Sequence, residues 1–233
     1  MLMRRAKTVL FSVGLMLTLA SCTGFYKITG VVETSGFEGR TLSLTEFLPS
    51  RTTMFDSCMV NHGQFQMHGS TDSIRLVFLC RDGMPVTPVY MEKGNIEIKL
   101  MPTKITVSGT RQNDLFYSFL HNKVAFDNRY EDVVQRRLAL SRSGMDAERM
   151  EVIQDSLRMI VAECEDMICS FMSDNYYEPA AVGVFMMLSA APATEVSPLL
   201  RRILDAAPEY FLSQSYVNGY INRMGYARVE KAD

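Results

Sequence analysis

Three histidines are the residues best suited to acid–base or metal chemistry in this chain. His62 and His68 lie on either side of a predicted turn, so their rings could approach each other across a hairpin, whereas His121 falls in a predicted helix. A metal held by the first two would need a nearby carboxylate or thiolate, and only Asp56 and Cys58 are close in sequence. The pattern favours exposed turn histidines over a metal site.

The N-terminus carries the most specific pattern. Three basic residues within positions 4–7 precede an apolar run over residues 8–20 that is too short to span a bilayer comfortably. The run ends in Leu19-Ala20-Ser21-Cys22, which resembles the lipobox of bacterial lipoproteins, where the Cys thiol is lipidated and the preceding peptide bond is cut. We therefore expect residues 1–21 to be a cleaved signal peptide and Cys22 to anchor the mature protein in a lipid bilayer through acylation.

The residue after Cys22 indicates where in the cell envelope the lipoprotein is delivered. It is Thr23 rather than Asp, which in Gram-negative lipoproteins resembles the default route to the outer membrane. We expect a lipid-anchored protein of the cell envelope, at the outer membrane and facing the periplasm, with surface display as the alternative.

The remaining cysteines form an even set in a compartment that permits disulfides: Cys58, Cys80, Cys164 and Cys169. Their spacing does not resemble a redox or zinc motif. Cys164 and Cys169 fall on different faces of one predicted helix and cannot easily bridge. Cys58 and Cys80 lie in separate predicted strands, so a disulfide between them is possible if those strands are neighbours, and free buried thiols are the alternative that the pattern favours.

Composition argues against nucleic acid as a partner. Removing the signal peptide takes away three of the 24 basic residues and none of the 26 acidic ones, which leaves a formal charge of about −5. Nucleic-acid binding needs clustered Lys and Arg, and this balance disfavours it.

Sequence motifs for catalysis are absent. No Gly-x-Ser-x-Gly, P-loop or dinucleotide fingerprint occurs. The acidic cluster of Glu163, Glu165 and Asp166 is typical of a solvated helix face. We therefore expect no catalytic residues, no cofactor and no enzymatic activity.

The chain divides into two parts with different hydrophobic periods. Residues 22–110 are predicted to form an antiparallel β-domain, a sandwich or half-barrel, because short alternating runs such as Ile96-Glu97-Ile98-Lys99-Leu100 are separated by turn signals such as Asn61-His62-Gly63. The predicted strands are Phe25–Glu33, Arg40–Phe47, Met54–Val60, Gln64–His68, Ile74–Cys80, Val86–Glu92, Ile96–Met101 and Ile105–Ser108.

Residues 111–233 are predicted to form an α-helical domain, so the fold class is α+β. A stripe of Leu115, Phe119, Phe126, Tyr130, Val133 and Leu138 marks a first helix. A heptad seam of Met150, Ile153, Leu157, Ile160, Cys164, Met167 and Phe171 marks a second. Gly144 separates the two predicted helices and Asp146 can cap the second, which predicts an antiparallel helical hairpin. Further helices are predicted from Pro179 to Leu188, from Leu199 to Ala206 and from Glu209 to Met224, with a frayed tail from Glu230 to Asp233.

The first half resembles the family known as domain of unknown function 4369, found at the start of many exported lipoproteins. The motifs that carry the resemblance over about residues 25 to 118 are Tyr26-Lys27-Ile28-Thr29-Gly30, Asp56-Ser57-Cys58-Met59-Val60 with Gly63-Gln64-Phe65, Tyr90-Met91-Glu92-Lys93-Gly94, and Val107-Ser108-Gly109-Thr110 with Asn113-Asp114. In many relatives a thioredoxin-like domain with a Trp-Cys-x-x-Cys site follows. This chain has no Trp and no Cys-x-x-Cys, so the resemblance implies the fold of the first half and not that chemistry, and we expect the thioredoxin-like domain to be lacking.

Three functions fit these observations. The first is a non-enzymatic, membrane-anchored envelope module that binds another protein. The second is an accessory factor of periplasmic thiol–disulfide chemistry without an active site of its own. The third is small-ligand binding by the β-domain, which rests on fold analogy alone.

Overall fold

The computed structural model describes residues 24–48, 50–142 and 147–228. The predicted signal peptide, the lipidation residue Cys22, the helix break at Gly144 and Asp146, and the tail after Glu230 lie outside these residues. No described helix is long and apolar enough to cross a membrane. The strands are β1 (Gly24–Val32), β2 (Thr41–Leu48), β3 (Arg51–Met59), β4 (Gln64–Thr71), β5 (Arg75–Arg81), β6 (Met84–Met91), β7 (Gly94–Leu100) and β8 (Ile105–Ser108). The helices are α1 (Arg111–Arg142), α2 (Ala147–Asn175), α3 (Pro179–Leu188), α4 (Pro198–Ala206), α5 (Glu209–Leu212) and α6 (Ser215–Met224).

The strands form two four-stranded sheets in a sandwich, as the α+β prediction requires. The first sheet has the order β4-β1-β7-β8 and the second β3-β2-β5-β6. Alternation builds the interior: in β1, Tyr26 and Ile28 are buried while Lys27 and Thr29 are exposed. The inner faces share one apolar core with the helices that follow.

One strand pair departs from the predicted antiparallel arrangement. Strand β7 pairs with β1 in parallel, with Ile28 opposite Ile96. The chain reaches β7 only after completing the second sheet, and it re-enters the first sheet in the direction of β1. Period-two alternation is the same for either strand direction, so the sequence pattern could not show this.

The hairpin between β3 and β4 confirms the predicted tight turn. His62 and Gly63 both have positive φ, 51° and 68°, and Asn61 and Gln64 exchange backbone hydrogen bonds of 2.9 and 3.0 Å. Two consecutive positive φ angles match the right-handed twist of adjoining strands. Because β3 belongs to the second sheet and β4 to the first, this turn closes one side of the sandwich.

The first two helices form the predicted antiparallel hairpin. Near the start of α1, the ring centroids of Phe119 and Phe171 are 4.8 Å apart. Farther along, Arg129 Nη1 lies 2.8 Å from Glu163 Oε2. The later residue of α1 in these two pairs contacts the earlier residue of α2, so the helices run in opposite directions.

The predicted apolar seams are confirmed in part. Ile153, Leu157 and Ile160 of α2 are buried, as the heptad pattern predicts. Leu138, predicted to lie on the buried stripe of α1, is 42% exposed. The difference arises because α2 is the only described element beside this part of α1, and one neighbouring helix cannot cover a whole apolar stripe.

The predicted helix from Glu209 to Met224 is wrong as a single element. It is divided into α5 and α6 at Gln214, whose ψ of 133° is extended. Phe211 at the end of α5 is fully buried and its ring lies 5.7 Å from that of Phe185. The chain therefore turns after Phe211 so that α6 can also pack on α3, and no Gly or Pro marks the turn.

Candidate interaction surface

The first turn of α1 closes an edge of the sandwich. Strand β6 is the outer strand of the second sheet. The fully buried amide of Asn113 accepts a hydrogen bond from Tyr90 N (2.9 Å) and donates one to Tyr90 O (2.8 Å). These are the two bonds that another strand would make, so a helix side chain satisfies the open edge of β6.

A buried carboxylate caps the same helix. Glu92 Oε1 accepts hydrogen bonds from the backbone N–H groups of Gln112 (2.8 Å) and Asn113 (3.3 Å). Helix N-termini leave N–H groups without intrahelical partners and favour negative charge. Glu92 therefore fixes the point at which α1 leaves the β-domain.

A second carboxylate ties α1 to α3. Glu178 Oε1 accepts from Arg111 Nε (2.9 Å), and Glu178 Oε2 accepts from Gln112 Nε2 (2.7 Å). The Arg111 hydrogen bonds, followed by that from Gln112, hold the pKa of Glu178 below its ordinary value. Gln112 Oε1 also accepts from Ala180 N (2.9 Å). These contacts define the joint, which comprises Tyr90, Glu92, Arg111, Gln112, Asn113 and Glu178.

Beyond the joint, the hairpin projects as an arm formed by residues 121–142 of α1 and 147–166 of α2. No residue from 121 to 142 is buried, whereas Phe116, Tyr117 and Phe119 are. At 1.5 Å per residue the arm is about 33 Å long. At its base the arm also contacts α4, where Arg202 pairs with Glu165 and Asp166. Farther out, the described contacts of the arm are those between its own two helices.

The two faces of the arm differ. One is crossed by the ion pair between Arg129 and Glu163. The other is open and contains a groove of two adjoining cavities of about 300 and 320 Å³. Tyr130, Val161 and Glu165 line both cavities. The groove is therefore continuous along the arm.

Apolar side chains lie exposed on the arm. Tyr130 and Val161 in the groove are 41% and 44% exposed, and Leu138 near the tip is 42% exposed. At the other end, the groove reaches Leu188 of α3 and Leu199 of α4. A run of exposed apolar residues bordered by charges is typical of a protein-binding surface.

Charged side chains border both ends of the groove. Toward the tip it is lined by Arg137 and Arg158, and toward the joint by Lys123, Asp127 and Glu165, of which Lys123 pairs with Asp127. Arg158 pairs with Asp155 and Glu165 lies 3.4 Å from Arg202, but all of these groups are at least partly exposed. The groove is therefore bordered by charges of both signs, several of which are paired within the chain.

The possible disulfide between Cys58 and Cys80 is not present, and both are free thiols. Cys58 lies opposite Leu42 and Cys80 opposite Ser43, so β2 separates the two cysteine strands. Strands two positions apart are about 10 Å from each other, beyond disulfide reach. Cys164 and Cys169 are also free, and burial raises the pKa of all four thiols.

The histidines do not meet in a metal site. His62 lies at the tip of the β3–β4 turn, and His68 lies along β4, where its backbone N–H donates to Asp56 Oδ2 at 3.1 Å. His121 lies at the base of the arm, with its ring 6.4 Å from that of Tyr117. Among the residues that the structure describes, no group of three or more His, Cys, Asp or Glu residues could hold a metal ion.

A second concavity lies on the outer face of the first sheet. It has a volume of about 600 Å³ and crosses β4, β1 and β7. Its exposed side chains include Thr29, Gln66, Glu97 and Lys99. Its lining is mixed, because the exposed apolar side chains of Val31 and Met59 lie beside these polar ones.

Comparison with known proteins identifies the β-domain. Residues 26–116 match the model of the family described as "Domain of unknown function (DUF4369)", which confirms the resemblance that the sequence motifs predicted. The match ends at Phe116, just past the joint, so it does not cover the arm. Neither the curated proteins nor the solved structures contain a significant match to this chain.

Sequence reasoning missed the joint and the groove. Tyr90, Glu92 and Asn113 lie in the motifs of the family resemblance, but those motifs do not show that the three are in contact. Glu178 carries no signal in sequence because its partners are far along the chain. The acidic cluster of Glu163, Glu165 and Asp166 was interpreted as a solvated face. Glu163 and Asp166 do lie in exposed ion pairs, and Glu165 lines the groove.

Proposed function

We propose that this protein is a non-enzymatic, lipid-anchored protein of the bacterial cell envelope whose arm binds another protein. The observation that carries the proposal is the open groove of the arm, where apolar side chains lie exposed between charged ends. The β-domain and the joint then act as the mount that fixes the direction of the arm.

The predicted anchor adds a geometric consequence. Only Thr23 separates Cys22 from Gly24, where β1 begins. Two residues span at most about 7 Å, so lipidation of Cys22 holds the β-domain against the bilayer. The arm then determines how far from the attached β-domain the partner lies, about 33 Å at most.

Photo-crosslinking in intact cells tests this proposal. A photoreactive residue in place of Leu138 is expected to give a specific adduct, because this side chain is exposed beside the groove. The matched control replaces Arg136 on the same helix, about 160° around its axis. The Cys22→Ala variant, which cannot be lipidated, is expected to lose adducts with membrane-bound partners.

The outcomes separate clearly. An adduct from position 138 that position 136 does not give supports binding through the groove. If no position along the groove gives an adduct in cells that contain the anchored protein, the proposal is wrong.

The alternative of small-ligand binding by the β-domain is motivated by the concavity on its outer face. Thr29, Gln66, Glu97 and Lys99 would offer hydrogen bonds and both signs of charge to a polar ligand. A ligand screen read by chemical shift changes is expected to perturb β1, β4 and β7 together if this alternative holds, and to leave them unchanged if it does not.

The alternative of an accessory role in thiol–disulfide chemistry has less support. Burial raises the pKa of Cys58, Cys80, Cys164 and Cys169, and the thiolate is the reactive form. We expect slow labelling of the native protein by a thiol reagent at neutral pH. Rapid labelling of any of the four would favour the redox role instead.

A further inference from the structure

We infer that one end of the sandwich rests on the lipid bilayer and that its aromatic side chains enter the bilayer interface. This end, the anchor end, is where β1, β5 and β7 begin and where β4, β6 and β8 end. The inference rests on the proposed function, because it takes lipidated Cys22 as the anchor and specifies which surface of the folded chain meets the membrane.

Strand pairing brings the start of β1 close to the start of β5. Gly24 of β1 lies opposite Thr71 at the end of β4, and a side chain at position 24 would touch Lys93, just before β7. Thr71 Oγ1 donates to Ser73 O at 2.6 Å, which turns the chain tightly toward β5. Ile74, at the entrance to β5, therefore lies at the same end of the sandwich as Gly24.

Two tyrosines extend this surface on the helical side. Arg111 begins α1 just after β8, and it pairs with Glu178, so the segment before α3 also lies at the anchor end. Tyr177, next to Glu178, stacks on Tyr210 with ring centroids 5.3 Å apart. Tyr210 and Ile74 line the same cavity of about 230 Å³. The tyrosine pair and Ile74 thus form one continuous surface.

The large side chains of the anchor end are open to solvent. Phe25 is 76% exposed, Tyr177 68%, Tyr210 49% and Ile74 44%. A tyrosine ring has an apolar body and a polar hydroxyl, and such rings are enriched where the bilayer meets water. These side chains therefore have the chemistry of a surface that lies in a bilayer interface.

The predicted anchor identifies what covers this surface. Only Thr23 separates Cys22 from Gly24 in sequence, so an acyl group on Cys22 is attached within about 7 Å of the start of β1. A bilayer held that close to Gly24 can extend across the whole anchor end. Apolar groups of proteins bound to an interface enter it by about 5–10 Å, which is enough for the rings of Phe25, Tyr177 and Tyr210.

Charge does not restrict the kind of bilayer. The anchor end carries charges of both signs, and some are already paired within the chain, as Asp72 with Arg75 and Glu178 with Arg111. We therefore expect contact with a zwitterionic bilayer as well as with an anionic one. Side chains make this contact, so the backbone hydrogen bonds of the sheets and the joint stay as they are.

The same contact directs the arm away from the membrane. Asn113 bonds to Tyr90, whereas Tyr117, one turn later in α1, bonds to Thr87. Because β6 ends at the anchor end, a rising position on α1 with a falling position on β6 means that α1 leads away from that end. The tip of α1 lies about 45 Å along the helix from its start. The arm therefore extends toward partners that are distant from the bilayer surface.

Tryptophan fluorescence tests the inference, because the chain contains no tryptophan and a single introduced one reports only its own surroundings. The lipidated mature protein is placed in phosphatidylcholine vesicles whose acyl chains do or do not carry bromine, a quencher of indole emission. In Tyr210→Trp and in Ile74→Trp we expect emission at shorter wavelength and about a twofold loss of intensity with the brominated lipid. Both positions are far from Cys22 in sequence, so a loose tether alone would not hold them at the bilayer.

Two control variants carry the tryptophan elsewhere. Tyr130→Trp is the matched control, because it replaces a tyrosine of similar exposure, 41%, in the arm. Met84→Trp places the probe at the start of β6, at the opposite end of the sandwich, on a residue that is 70% exposed. We expect bromine to leave the emission of both controls unchanged. Circular dichroism of each variant checks that the fold is retained.

The outcomes are distinct. Quenching at positions 74 and 210 without quenching at 84 and 130 supports the inference. If either position 74 or position 210 is not quenched while the protein stays bound to the vesicles, or if position 130 is quenched as well, the inference is overturned. The proposed function then still stands on its own test, the adduct from position 138. A mass spectrum that shows no acyl group on Cys22 would instead remove the anchor from the proposed function, and this inference with it.

Discussion

Helix α1 passes through two different environments. Over residues 111–120 it is packed against β6, β8 and α3, and buried polar groups hold its first turn. Over residues 121–142 its described neighbour is α2, and no residue is buried. The helix type is the same in both parts, so the difference lies entirely in tertiary contacts. The contrast teaches that one continuous helix can serve as a structural mount at one end and as a binding element at the other.

The largest expected effect is at the joint. Asn113→Ala leaves the Tyr90 N–H and C=O without their partners in a buried position, and each orphaned group costs about 1–3 kcal/mol. We expect a loss of about 3 kcal/mol in the free energy of unfolding, measured by urea denaturation. Asn122→Ala, at an exposed position of the same helix, is the control and should change it by less than about 0.5 kcal/mol. Equal effects of the two variants would contradict the special role of the joint.

A smaller and more local effect is expected in the arm. Leu157→Ala removes a buried side chain of the seam, which costs about 2–3 kcal/mol in a partly covered site. Hydrogen exchange should become faster in residues 121–142 and 147–166 and remain unchanged in the β-domain, because the arm can open separately. Val152→Ala, which changes a 61% exposed residue of α2, should leave exchange unchanged. Faster exchange throughout the chain after Leu157→Ala would show that the arm and body unfold together.

The link between α1 and α3 should depend on pH. Glu178→Gln is expected to reduce the free energy of unfolding by about 1 kcal/mol at neutral pH, through loss of charge-assisted hydrogen bonds. The folded state lowers the pKa of Glu178 below its ordinary 4.5. The contribution is therefore complete above that pH and is lost as the pH falls below it. Denaturation of both proteins at neutral and acid pH should show a difference in unfolding free energy that shrinks as the pH falls below the ordinary pKa of a glutamate. A difference that stays constant with pH would contradict this origin.

The smallest effect on stability is expected at the arm surface. Leu138→Ser changes an exposed side chain and should alter the free energy of unfolding by less than about 0.5 kcal/mol. The same change should weaken binding of the partner protein several-fold, because it removes an exposed apolar side chain beside the groove. A large loss of stability would place Leu138 in the structural part of the helix instead.

The sequence predicted most strands and helices, because the patterns that mark them repeat within a few residues. All eight strands were expected from alternation and turns, and the buried residues Ile153, Leu157 and Ile160 were expected from heptad spacing. Such patterns repeat within a few residues, so they can be seen without knowing the fold. The direction of β7 and the turn at Gln214 depend on what each element packs against, and they were missed.

The candidate site was much less predictable. The bonds between Asn113 and Tyr90 join residues 23 positions apart, and that between Gln112 and Glu178 spans 66. A groove between two helices stays open only where no third element packs over it. A local sequence pattern cannot show whether such a third element is present. The sequence marked Tyr130 and Leu138 as apolar, but it could not show that they lie exposed.

The central claim is that the arm binds and the rest of the chain positions it. Hydrogen exchange of the anchored protein in envelope membranes, compared with the highly diluted soluble mature chain, tests this most directly. We predict slower exchange in the membranes over residues 121–142 and 147–166, with the β-domain and the joint unchanged. Protection gained on the outer face of the first sheet, with none in the arm, would contradict the account.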